Sequence, residues 1–254
     1  MTNHSYSDAT IQSNRDVAII GGGMAGASLA LLLAQRLPDY RIFLIEKNSL
    51  QTAPLEQLSL PSFDARSTAL SCSTRDILQS INVWNALAPF AEPILSVHVS
   101  ERHRAPGMLM RASDIAKPSL GYVIENRQLG QHLLHAIQQH PRITCLDNTV
   151  IERITFTTDA VLLSTKPTSP SDLTNDSIDD TELTVTLAVI ADGSQSRLRQ
   201  QLGIASDEVP YDQNAIIANI VTEQAHNGVA YERFTDTGPM ALLPLTTVNN
   251  EHRS

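Results

Sequence analysis

The chain is poor in cysteine and in positive charge, and long hydrophobic runs are scarce. Among 254 residues there are two cysteines. Cys72 and Cys145 are far apart and belong to no C-x-x-C, so neither a disulfide framework nor a zinc site is expected, and they read as free thiols in a reducing cytoplasm. Acidic residues outnumber basic ones by 27 to 18, a net charge of −9 that argues against nucleic acid as a partner. The eight histidines are scattered. His132 and His135 are spaced to share a helix face, but no third ligand lies nearby, so no metal site is expected.

The opening residues 1–15, MTNHSYSDATIQSNR, are polar and mixed in charge, unlike a signal peptide, and read as a disordered lead-in. Residues 166–181, rich in Ser, Thr, Pro and Asp, read as a mobile surface loop between two strand-like runs. One stretch could enter a bilayer, IIGGGMAGASLALLLAQ at 19–35, because a spanning helix needs roughly 20 mostly apolar residues. Its neighbours decide otherwise.

DVAII ahead of the glycines is a β-branched run typical of a buried strand, ASLALLLAQRL after them is built of helix formers, and RIFLIEK beyond Pro38 reads as a second strand. Strand, glycine turn, helix and strand make a βαβ unit. Within it Gly21, Gly23 and Gly26 form G-x-G-x-x-G. Gly21 permits the tight turn, Gly23 leaves room for a pyrophosphate, and Gly26 lets the helix pack close to the strand. The helix N-terminus offers N–H groups to phosphates. Glu46, twenty residues beyond Gly26, is placed to accept from ribose hydroxyls, and its charge would repel a 2′-phosphate. The pattern therefore favours FAD or NAD over NADP. The three glycines also make a poor membrane helix.

Further along, FDARSTALS at 63–71 precedes a helical pattern through residue 90, in which Ile77, Leu78, Ile81, Trp84 and Leu87 read as core. Arg66 lies in a loop where it can pair with phosphate or with a surface acid. GYVIENRQLGQHLLHAIQQ reads as a strand and then a helix starting near Asn126, with Leu129, Leu133, Leu134 and Ile137 buried. Arg127 falls in that helix's first turn, where a cation is unfavourable unless an anion is near. LTVTLAVIADGSQSRLRQQLG reads as a strand ending at Asp192, a turn at Gly193 and a helix running to Gly203. Asp192 and Gly193 sit where α/β sheets bind ligands, although a plain N-cap by Asp192 or Ser194 fits the same residues.

Taken together these motifs resemble the flavoprotein aromatic hydroxylases, specifically their ubiquinone-biosynthesis branch. The resemblance rests on the glycine motif with Glu46, F-D-x-R-x-x-A-L at 63–70, E-N-R-x-L at 125–129 and A-D-G-x-x-S-x-x-R at 191–199, and it covers nearly all of residues 16–245. It implies an α/β fold, a Rossmann-like FAD-binding domain with an inserted β-sheet substrate domain. FAD would be held by Gly21, Gly23, Gly26, Glu46, Arg66, Arg127, Asp192 and Gly193. NAD(P)H would be the reductant and a polyprenylated phenol the substrate. The implied location is the cytoplasm, at the inner-membrane surface or in a ubiquinone-biosynthesis complex. It singles out no catalytic acid or base. His98, Tyr211 and Arg233 fall in the substrate segments and read as ordinary strand or surface residues.

The family pattern also includes a Gly-Asp motif and C-terminal helices, and no Gly here is followed by Asp. The sequence therefore reads as the N-terminal part of such an enzyme, expected to hold FAD weakly on its own. The expected division is 16–91 with 113–204 as the FAD-binding domain and 92–112 with 205–254 as a partial substrate domain. An NAD-dependent dehydrogenase, a flavin reductase and a non-catalytic nucleotide-binding module remain open at this stage.

Overall fold

The structure is a computed structural model and describes residues 15–51, 63–168, 181–248 and 251–254. The lead-in, apart from Arg15, and most of the expected loop at 166–181 lie outside the described residues. In chain order the first half forms β1 (Asp16–Ile20), α1 (Met24–Arg36), β2 (Arg41–Ile45), β3 (Ser67–Ser71), α2 (Cys72–Ser80), α3 (Trp84–Leu87), β4 (Glu92–Ile94), β5 (Ser96–Glu101) and β6 (Met108–Arg111). Then follow β7 (Gly121–Glu125), α4 (Asn126–Gln138), β8 (Ile143–Leu146), β9 (Thr149–Phe156), β10 (Val161–Pro167), β11 (Thr181–Val185), β12 (Leu187–Ile190) and α5 (Arg197–Gln201). The tail adds β13 (Val221–Thr222), β14 (Val229–Thr235), β15 (Gly238–Leu242), β16 (Leu245–Val248) and β17 (Glu251–Arg253).

A parallel sheet of order β12-β1-β2-β8 sits at the centre. Every residue of β1 is buried because both faces are covered. The two-residue period of a strand sends Val17 and Ile19 to one side, where Ala27, Ala30 and Ala34 of α1 and Leu133 and Leu134 of α4 pack. It sends Ala18 and Ile20 to the other, onto Leu163 of β10, Val185 of β11 and Leu198 of α5. Full burial of a side chain such as Ile42 or Leu44 is worth about 1.5–3 kcal/mol, so this two-sided core anchors the fold. At the start of the sheet the buried Asp16 receives both Nε (2.8 Å) and Nη2 (2.6 Å) of Arg41, which pins β1 to β2.

Four further sheets accompany this centre among the described residues. β9, β10 and β11 form an antiparallel sheet; β3, β7 and β4 form a second. The order β15-β14-β5-β6 gives a third, which joins the expected substrate segments. The fourth, of order β13-β17-β16, lies in the tail. β4, the first strand of the segment 92–112, pairs with β7.

Three local expectations are corrected. The strand expected through Asp192 ends at Ile190 and is divided at Thr186, because β11 pairs antiparallel with β10 while β12 pairs parallel with β1. The following helix is five residues long and is capped by the Ser196 hydroxyl on the Arg199 N–H, not by Asp192 or Ser194. Ile77, read as core, is 44% exposed. A helix turns by about 100° per residue, so its neighbour Leu78, at 2% exposure, takes the inward position. The other expected core residues, Ile81, Trp84, Leu87, Leu129, Leu133, Leu134 and Ile137, are buried. Among the described residues no helix is long and apolar enough to cross a membrane.

Candidate dinucleotide site

The glycine turn leaves β1 at its C-terminal end. Gly21 has φ +112, a region L side chains rarely adopt, and a Cβ there would lie 2.3 Å from the carbonyl oxygen of Ala191, just past the end of β12. A Cβ on Gly26 would lie 1.8 Å from the carbonyl oxygen of Gly21, so helix and turn are in direct backbone contact. Gly23 is the N-cap of α1; no side chain caps this helix and no acid stands in its first turn. The N-terminus of α1 is thus left to whatever anion approaches it.

Glu46 closes the turn from the second strand. It is buried, and its Oε2 accepts the N–H of Gly22 at 2.7 Å. Its Oε1 accepts the N–H (3.1 Å) and the side-chain amide (2.9 Å) of Asn48. A carboxylate offers about four acceptor positions, so this geometry leaves one on Oε2. Beside it lies an open cavity of about 500 Å³ lined by Lys47, Asn48, Ser49, Asn148, Val150 and Thr168. Asp192 and Gly193 stand exposed at the same edge of the sheet, adjoining Gly21, with Gly193 at φ +100 and open space around it.

Arg66 and Arg127 form a second group where β3 runs beside β7. The N–H of Asn126 donates to the Arg66 carbonyl (2.8 Å), and that of Arg127 to the Asp64 carbonyl (2.9 Å). Arg66 Nε donates to Asp64 Oδ2 at 2.6 Å, and Arg127 Nε donates to Glu125 Oε2. Burial works against the charge on Asp64, but the backbone and side-chain hydrogen bonds and the charge of Arg66, with the amide of Asn126, outweigh it and hold the carboxyl below its ordinary range. A cavity of about 370 Å³ lies against this group, lined by Asp64, Ala65, Arg66, Ile217, Ala218 and Asn219. Among the described residues no hydrogen bond or ion pair joins this group to the glycine turn.

Sequence reasoning passed over several residues of the site. Gly22 supplies the N–H that holds Glu46, and a Cβ on it would lie 2.6 Å from Leu50 Cδ2. Asp64 and Glu125 hold the two arginines, and Asn126, 6% exposed, links them while its own Oδ1 has no partner. The available signal was the same acid-x-Arg spacing at 64–66 and 125–127.

The fold and the turn define a dinucleotide-binding α/β protein. Residues 14–253 match the family model described as FAD binding domain, and the chain belongs to that family. It is 29% identical to the ubiquinone hydroxylase UbiL of Rhodospirillum rubrum, over 91% of this chain and 49% of that protein. It is 30% identical to the 3-demethoxyubiquinol 3-hydroxylase of Escherichia coli, over 91% and 54%. Against the human ubiquinone biosynthesis monooxygenase COQ6 the identity is 27%, over 95% and 51%. The chain thus spans about half the length of the curated relatives it matches. Among solved structures, Pseudomonas aeruginosa PqsL in complex with 2-aminobenzoylacetate superposes with a TM-score of 0.71 at 18% identity, over 94% of this chain and 59% of that one. At that identity the likeness carries the fold alone.

Proposed function

We propose that the chain provides the FAD-binding part and a portion of the substrate sheet of a flavin-dependent hydroxylase. Its substrate class is the polyprenylated phenols of ubiquinone biosynthesis, with NAD(P)H as reductant and O₂ as oxidant. The observation that carries this reading is the glycine turn with its buried Glu46, in a chain whose named relatives are ubiquinone hydroxylases. Those names weigh for oxygenation over a dehydrogenase or a non-catalytic module. The motif segments resemble in particular 2-octaprenyl-6-methoxyphenol hydroxylase.

The residues present fit FAD. The turn leaves no space for a Cβ at Gly21, Gly22 or Gly26, and the orphaned Asn126 Oδ1 supplies a buried acceptor beside the two arginines. Gly21, whose own N–H donates to the Ile45 carbonyl (2.8 Å), and Gly26 would let strand, turn and helix approach closely. The uncapped N-terminus of α1 at Gly23 would bring backbone N–H groups and the helix dipole to the pyrophosphate, and the remaining acceptor of Glu46 would take a ribose hydroxyl. Arg66 and Arg127 would bind phosphate or ribityl oxygens, and Asp192 with Gly193 would border the pyrophosphate on the β12 side. Bound FAD supplies the redox chemistry, taking reducing equivalents from NAD(P)H and activating O₂ for transfer of one oxygen atom to an electron-rich ring. The protein's part is to orient the ring and keep water out. A prenyl tail implies contact with a membrane surface or a lipid-handling complex, peripheral to the cytoplasmic face of the inner membrane.

Titration of the purified chain with FAD, followed by quenching of flavin fluorescence, tests this. Saturable 1:1 binding by the wild-type chain, abolished in Gly26→Ala, is expected. Binding unchanged by Gly26→Ala would remove the glycine turn from the site, and no binding at all would refute the FAD reading.

A further inference from the structure

Where β3 meets β7, the tripeptides Asp64-Ala65-Arg66 and Glu125-Asn126-Arg127 lie side by side, tied by the two backbone hydrogen bonds described above. They are built alike. In each, an acid two residues ahead of the arginine takes the arginine's Nε–H. Asp64 Oδ1 also accepts the Arg66 backbone N–H (3.0 Å) and the Asn126 amide (3.3 Å), so one carboxylate braces both units. Glu125, 7% exposed, uses its second oxygen for Nη2 of Arg253 at 2.7 Å.

A guanidinium has five N–H donors, and among the described residues the inner one of each arginine is the one engaged. Among the described residues the four outer N–H groups of Arg66 and of Arg127 have no partner. Those outer groups form the planar fork that binds a phosphate through two parallel hydrogen bonds. An acid that gripped the fork itself would compete with an anion; one that grips Nε fixes the plane of the group and leaves the fork available. The local charge agrees, with three arginines against two carboxylates. Arg66 and Arg127 keep roughly half and a third of their side-chain surface exposed.

We propose that Asp64 and Glu125 are positioning residues that hold Arg66 and Arg127 by Nε, so that both forks are presented to the phosphate groups of one dinucleotide. This deepens, and rests on, the reading that the chain binds FAD. It assigns to two acids, which by charge alone would oppose an anion, a favourable effect on its binding. The effect is transmitted entirely through their arginines.

Double-mutant cycles on the 254-residue chain test it, with FAD affinity from flavin fluorescence and thermal midpoints measured in parallel. Glu125→Gln and Asp64→Asn are each expected to weaken FAD binding on the order of tenfold, the scale of one charged hydrogen bond. The same substitutions are expected to have no further effect when Arg127 or Arg66, respectively, is already alanine. A purely structural role predicts the opposite: lower thermal midpoints and additive losses of affinity in both backgrounds, and that result overturns the proposal. Asp64 is the more exposed of the two acids, so its cycle stays readable if Glu125→Gln does not fold. A wild-type chain that binds no FAD would overturn the cofactor reading and this inference with it. That outcome is distinct from additive cycles in a chain that does bind.

Discussion

Glu92 is a residue whose charge the fold opposes. It lies in β4, opposite Val123 of β7, and burial raises its carboxyl above the ordinary value, while the charge of His226 offsets part of that rise. An acid with a raised folded pKa contributes least when ionised: its penalty is absent at low pH and grows as pH rises through the unfolded value towards the folded one. Glu92→Gln removes the ionisation and keeps the shape. The variant should therefore melt above wild type at pH 7–8, with the difference shrinking to nothing below about pH 4. Melts across that range check it, and a pH-independent difference would assign the effect to packing. At this scale the site was partly legible. Gly21, Gly26 and Glu46 were readable because turn, helix and acid follow one another in sequence. Asp64, Asn126 and Glu125 were not, because their roles depend on partners brought in by pairing. Arg253, for example, lies 128 positions from Glu125.

Elements were legible in kind and less so in extent, for reasons visible in particular side chains. The apolar recurrence from 73 to 90 reads as one helical pattern, yet α2 stops at Ser80 and α3 starts at Trp84. Between them Asn82 adopts φ +60, a conformation an asparagine tolerates and one that a continuous helix excludes. Trp84 then packs edge-on to Tyr122 with ring centroids 4.8 Å apart, a contact across the layer that no local pattern announces. In α4 the pattern was clear and the helix has the expected face, but Gly130 inside it had no evident purpose. It admits the ring of Phe63: a Cβ at Gly130 would lie 2.1 Å from Cγ of a residue that is 2% exposed. Two effects oppose each other in Gly130→Ala. Helix propensity would favour alanine by about 1 kcal/mol. Displacing a fully buried ring costs about 1–3 kcal/mol or more, so overpacking wins. Urea denaturation should show net destabilisation, and adding Phe63→Leu should restore much of it. A stabilised Gly130→Ala would mean that the ring moves aside freely.

On the scale of the whole molecule, the two four-stranded sheets differ in how well they cover their apolar surface. The inner strand β1 of the parallel sheet is buried on both faces, whereas the sheet β15-β14-β5-β6 leaves large side chains in solvent. Its register places Leu109, Tyr231 and Met240 on one face and Met108, Met110 and Phe234 on the other, and all six are at least 40% exposed. The segment 204–220 forms no helix or strand, with Tyr211 82% and Ile216 98% exposed. Monomeric proteins rarely leave contiguous apolar patches beyond a few hundred Å². Each such side chain that becomes fully buried contributes about 1.5–3 kcal/mol, so a handful can outweigh the entropy lost on association. The 254-residue chain is therefore expected to bind the dye ANS while folded and to self-associate over the micromolar range. Replacing Met108 and Met240 with lysine, one on each face, should lower both signals without shifting the thermal midpoint by more than a few degrees, since neither side chain is in the core. Sedimentation velocity at several concentrations, read beside the dye titration, decides it. A chain that stays monomeric and silent to the dye throughout would show that these side chains cover one another in solution.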